Sequence, residues 1–129
     1  MMAYWKTVAV ERLTEYEALQ KAVTTLPRQI AACRGEGPYE SDGRLDAMVR
    51  RFQLERRLGE NRACLQRMKK ALSALTPQEK LILRLLYIAP EKGNSQRLCD
   101  ILGCEQATVY RRRDSALRKF AVALYGKGT

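Results

Sequence analysis

Thr76-Pro77-Gln78-Glu79 constrains this chain's fold more than any other stretch. A threonine hydroxyl accepts from the backbone N–H three residues on, while the glutamate there reaches back to the threonine N–H. Pro77 suits the first helical position, where its missing N–H has no partner to lose. A helix therefore starts at Thr76. Leu81, Ile82, Leu83, Leu85, Leu86 and Tyr87 make it apolar on most sides, so it is expected to run to about Ile88 as a buried spine, ended by Pro90 and Gly93. Asn94 or Ser95 is expected to cap the next helix.

From Ser95 onward the residues fit a pair of short helices joined by a tight turn. Such a unit needs apolar residues where the helices touch, a small residue where they cross, and a glycine able to turn left-handed. Leu98 and Leu102 fill the first role, Cys99 the second and Gly103 the third, with Cys104 and Val109 packing from the second helix. Cys99 and Cys104 then act as small hydrophobes. The second helix is expected from about Gln106 to Leu124, its core face formed by Val109, Ala116, Leu117 and Phe120. Helical periodicity then turns Gln106, Ala107, Tyr110, Arg111 and Asp114 outward. That set has base-reading chemistry. Arginine donates two bonds to guanine, glutamine pairs with adenine, and alanine packs on a thymine methyl. Thr108, Arg113 and Lys119 lie beside this face and suit phosphates.

The N-terminal part is also helical by pattern. Val10, Leu13, Tyr16, Leu19 or Gln20, Val23 and Leu26 recur at spacings of three and four, giving a helix over about 8–32 that Pro27 is expected to stop or bend. Residues 33–43, with three glycines and a proline, form a loop, and Ser41 or Asp42 can cap a second helix beyond it. That helix is long, over 44–75, and is interrupted only by Gly59. Leu54, Leu58, Asn61, Leu65, Met68, Leu72 and Leu75 keep a 4-3-4-3 spacing along it, a coiled-coil-like seam with one polar member. Asn61 either fixes register or oligomer number, or is a solvated site near Gly59. The seam needs a partner, which the first helix folding back supplies, or a second copy in a homodimer through residues 44–75. Arg50, Arg51, Arg56, Arg57, Arg62, Arg67, Lys69 and Lys70 ride on the same helix, either as a solvated face or as a second phosphate-contacting strip.

No segment alternates at period two, so the fold class is all-α: a long helical hairpin over 1–72, able to serve as a coiled-coil arm for oligomerisation, then a small helix-turn-helix domain over 73–129. A formal net charge of +10 over 129 residues favours a polyanionic partner. Residues 1–75 carry 14 basic and 9 acidic side chains and residues 76–129 carry 10 and 5, so the shorter C-terminal part is the more densely basic. The absence of histidine excludes Ser-His and Cys-His dyads, and no phosphate loop or nucleophile elbow occurs. Four scattered cysteines form neither a disulfide framework nor metal-binding pairs. The chain is expected to be a binding protein, not an enzyme, with no cofactor and no metal. Without an apolar run of about 18–20 residues or a signal-like start, it is expected to be cytoplasmic and to engage no membrane.

L-T-P-Q-E-K-L-I-L-R-L-L-Y, then L-G-C-E-Q-A-T-V-Y-R-R-R, then A-L-R-K-F, within residues 72–124, resemble the fourth region of sigma-70-type RNA polymerase sigma factors. They are closer still to sigma-like helix-turn-helix regulators encoded by phages and prophages. The resemblance implies a transcription regulator that binds double-stranded DNA and can touch bacterial RNA polymerase, in the manner of phage late-gene activators. Two positions depart from the family's pattern. Glu105 stands where serine or threonine often caps the recognition helix, and Arg112 where an apolar residue usually packs. Two alternative readings are a phage DNA-packaging recognition subunit of the small-terminase kind, and a polymerase-binding module that never contacts DNA.

Overall fold

The computed structural model describes residues 2–126, and every regular element in them is helical. The elements are α1 (Tyr4–Ala32), α2 (Asp42–Ser73), α3 (Pro77–Leu83) running into a π-helical segment (Arg84–Ile88), α4 (Asn94–Leu102) and α5 (Gln106–Tyr125).

They group into two compact units that cut across the boundary expected near residue 72. One is Met1–Glu17 together with Gln66–Thr129, the other Ala18–Leu65. The physical reason lies in α5. Its first half is covered by a cluster of Ile82, Leu85, Leu98 and Val109, with Leu81, Leu86, Cys99, Leu102 and Cys104 packed around it. Ala116, Leu117, Phe120 and Ala121 in its second half are also buried but lie outside that cluster. A module of about 50 residues encloses little core by itself. The same unit therefore takes in Ala9 and Leu13 of α1 and Met68, Ala71 and Leu75 at and beyond the end of α2, all buried. Lys6 pairs with Asp114, and the Arg118 guanidinium lies 5.0 Å from the Trp5 ring centroid, which ties the first turns of α1 to α5.

In the other unit α1 continues through Pro27, where a stop or bend was expected. An interior proline removes one backbone bond and costs about 3 kcal/mol. Here burial on both sides of it holds the helix, with Leu26 buried and Val23 and Ile30 half-buried. Thr24 and Thr25 donate their hydroxyls to the Gln20 and Ala22 carbonyls, giving the preceding turn extra partners. The loop to α2 is clamped by Arg44, whose Nη1 donates to the Gly35 and Gly37 carbonyls at 2.8 and 3.1 Å. Ser41 caps α2 by accepting from the Arg44 N–H. The 4-3-4-3 seam is covered within the chain: Leu58, Leu65, Met68 and Leu75 are buried, and Leu54, Asn61 and Leu72 half-buried. Self-association through residues 44–75 must therefore use another face of α2.

No helix among the described residues is long and apolar enough to cross a membrane.

Candidate nucleic-acid interface

Thr76 and Glu79 form both halves of the capping box. Thr76 Oγ1 accepts from the Glu79 N–H at 3.2 Å, and Glu79 Oε1 accepts from the Thr76 N–H at 2.9 Å. The helix they open widens into a π turn at Arg84–Ile88, closed by a bond from the Ala89 N–H to the Arg84 carbonyl. Asn94 or Ser95 was expected as the cap for α4, but Gly93 holds the N-cap position, with no side-chain cap bond, and both lie within the helix. Asn94 Nδ2 instead donates to the Leu85 carbonyl at 2.9 Å, within the widened turn. α4 ends at Gly103, whose φ of 63° is left-handed, and the Cys99 carbonyl accepts from both the Gly103 and Cys104 N–H groups. That closure aims the start of α5.

Glu105 is the N-cap of α5 and, as expected of a glutamate, makes no side-chain cap bond. The N–H groups of Gln106 and Ala107 in the first turn of α5 form the positive end of the helix dipole. Gln106, Ala107 and Arg111 are exposed, as their expected role requires. Gln106 Nε2 donates to the Tyr110 hydroxyl at 2.6 Å, and Arg111 Nη2 to the Thr108 hydroxyl at 3.2 Å. Tyr110 and Asp114 sit differently. Both are half-buried and belong to a polar cluster within the unit. The Arg113 guanidinium lies 4.8 Å from the Tyr110 ring centroid and pairs with Asp114 at 3.0 Å, and Asp114 accepts from Lys6 at 2.7 Å. The hydrogen bond from Lys6, and then Arg113, hold the Asp114 carboxyl below its ordinary value against a partial burial that would raise it. Tyr87, carried by the π turn, faces the same cluster. Its burial pushes the phenol pKa up, against the pull of Arg113.

All three residues expected on phosphates are also partnered, Thr108 through the bond it accepts from Arg111. Arg113 is half-buried with Asp114, and Lys119 pairs with Glu79 at 2.9 Å. Burial raises the Glu79 pKa, but its bonds from Thr76 and Lys119 outweigh this and leave it lowered. Arg112 is exposed and donates to Gln78 Oε1 at 3.3 Å, so its head lies at the surface beside α3.

Counting the buried Ala121 with Val109, Ala116, Leu117 and Phe120 rotates the outward face of α5. At 3.6 residues per turn its centre falls on Ala107, Arg111, Ser115, Arg118 and Val122, all exposed. Ser115 and Arg118 were missed because an alanine is ambiguous between core and surface, and leaving Ala121 out of the core turned the wheel toward Tyr110 and Asp114. The spacing of Arg118 and Ser115, seven and four residues beyond Arg111, carried the signal. No acid pairs with Arg111, Arg112 or Arg118 among the described residues, whose partners are the Thr108 hydroxyl, the Gln78 amide and the Trp5 ring, so this face combines cations free of an ion pair with small residues. Such a surface suits a polyanion with a groove.

Compared with protein-family models, curated proteins and solved structures, the chain matches none.

Proposed function

We propose that the chain is a DNA-binding transcription regulator, similar to sigma region four. In this reading α4, the Gly103 turn and α5 act as a helix-turn-helix on duplex DNA, and α1 and α2 form a helical hairpin as its arm. The observation that carries the reading is the exposed row Ala107, Arg111, Ser115 and Arg118, with Gln106 at its head, directly after a left-handed glycine turn. A recognition helix reads bases mainly with its N-terminal residues while its flanks touch the backbone. Gln106, Ala107 and Arg111 are the base readers in this reading. Ser115 and Arg118, farther along, take phosphates with Thr108. Lys119 joins them by leaving Glu79, since an exposed ion pair is worth only about 0–1 kcal/mol. Arg113 contributes chiefly by holding Tyr110 and Asp114 in place.

The test is selection of bound duplexes from a random pool, followed by binding titrations of variants at two salt concentrations. Arg111→Ala is expected to cost about 1–3 kcal/mol on the selected site and to relax its sequence preference. Arg118→Ala is expected to weaken selected and random duplexes alike and to reduce the salt slope by about one. Duplex binding untouched by both changes would sink the proposal, as would no binding even at low salt.

A further inference from the structure

The first half of α2 carries a second apolar row that no described residue buries. Leu45, Met48, Val49 and Phe52 recur at i, i+3, i+4 and i+7, the spacing of one helical face. They are 42, 42, 57 and 65% exposed, and Tyr39 beside them is 65% exposed. This row is distinct from the seam. Leu45 and Val49 each lie nine residues before a seam leucine, Leu54 and Leu58, which is half a turn round the helix. Two exposed aromatics and three aliphatics leave on the order of 500 Å² of apolar surface, at the upper end for a patch on a monomer. Glu40, Asp42 and Asp46 border it together with Arg44, Arg51 and Arg56, so its rim carries both signs and suits a surface that does the same.

We propose that this face is the self-association surface of the protein, pairing α2 with α2 of a second copy in antiparallel fashion about Val49. A rim of both signs fits a second copy, and charge selects the direction. Asp42 lies seven residues before Val49 and Arg56 seven residues after it, two turns to either side and on the same side of the helix as the row. An antiparallel pair sets Asp42 of each copy against Arg56 of the other, twice by symmetry, whereas a parallel pair sets Asp42 on Asp42 and Arg56 on Arg56. Arg56 is exposed and, among the described residues, pairs with Glu60 one turn along its own helix, so it can turn to the new partner. Gly59 fits the same register. Ten residues past Val49, it faces the Tyr39 end of the second copy, and beyond its chain neighbours and its own turns of helix backbone no described atom lies within 4 Å of the site a Cβ would take. Its bare backbone leaves a flat seat for the second copy's Tyr39 ring. The paired patches bury about 1,000 Å², the lower limit for a specific interface, so the dimer is a reversible one.

The pairing does not rest on the DNA reading, and sedimentation of the full chain across low to high micromolar concentrations tests it without DNA. A monomer–dimer equilibrium is expected. Val49→Glu, which places an unpaired carboxylate on the two-fold axis, is expected to weaken it about tenfold or more with unchanged helicity. Asp42→Arg and Arg56→Asp are each expected to weaken it, and the two together to restore it. A chain monomeric throughout, a dimer indifferent to Val49→Glu, or a double variant no better than the single ones would each overturn the proposal.

Discussion

Under the proposed reading, Asp114 pulls stability and DNA affinity in opposite directions. Its carboxylate accepts from Lys6 and Arg113, which fastens the start of α1 to α5, yet it keeps a negative charge one turn from Arg111. Because its folded pKa is depressed, its stabilisation is fully present above the unfolded carboxylate value near about 4 and is lost as the pH falls through the lower folded value. The side chain is 49% exposed, so solvent screening limits the effect to about 0.5–1 kcal/mol. Asp114→Asn is therefore expected to lower Tm by about 2–4 °C at neutral pH and by less at acidic pH, the difference shrinking as the pH falls through the lowered native value. The same change is expected to tighten non-specific duplex binding a few-fold, since one negative charge leaves the interface. Thermal melts at neutral and acidic pH check the first part, and a Tm difference undiminished in acid would refute the ion-pair account. Gln106 shares the phase of the buried Leu117 and is exposed by its place at the start of α5, whereas the exposure of Ala107 and Arg111 was legible from helical periodicity. The setting of Asp114 was not, because its partner Lys6 stands at the opposite end of the sequence.

Among the elements, those specified by contiguous residues were legible and those settled by distant contacts were not. Thr76-Pro77-Gln78-Glu79 holds both partners of its cap within one turn, and Gly103 supplies its own backbone freedom, so the start of α3 and the turn into α5 could be read directly. The π turn could not, because its Leu85 carbonyl is met by a side chain nine residues on, across the Pro90–Gly93 loop. Nor could the passage of α1 through Pro27, which burial decides. Asn94 gives a test in which the sign discriminates. As the donor to the Leu85 carbonyl, its loss in Asn94→Ala costs about 1–2 kcal/mol. Asn94→Asp sets a carboxylate against that carbonyl and is expected to cost more than the alanine. Were Asn94 merely a first-turn residue of α4, the aspartate would be the better tolerated of the two, since a helix N-terminus favours negative charge. Chemical denaturation of both variants decides the order.

At the scale of the whole molecule, the all-helical class followed from periodicity, but the division of the chain did not. A boundary near residue 72 assumes that each run of sequence closes its own core. The apolar face of α5 is longer than α3 and α4 can cover, and the surplus recruits chain from before the loop. Leu13 is fully buried in the unit that contains Leu117 and Phe120, also fully buried, and that unit omits most of the intervening α1 and α2. Folding of the candidate DNA-binding part therefore depends on residues at the far end of the sequence. Leu13→Ala removes buried methyl groups at a cost of about 2–5 kcal/mol. If the compact unit is also a cooperative one, that loss appears as faster hydrogen exchange in the second half of α5, at Ala116 to Ala121, although Leu13 is remote from it in sequence. Leu26→Ala, of the same chemistry but in the Ala18–Leu65 unit, serves as the control and should leave those amides far less affected. Exchange in α5 that ignores Leu13→Ala, or responds equally to both variants, would mean that the two units do not fold as separate cooperative bodies.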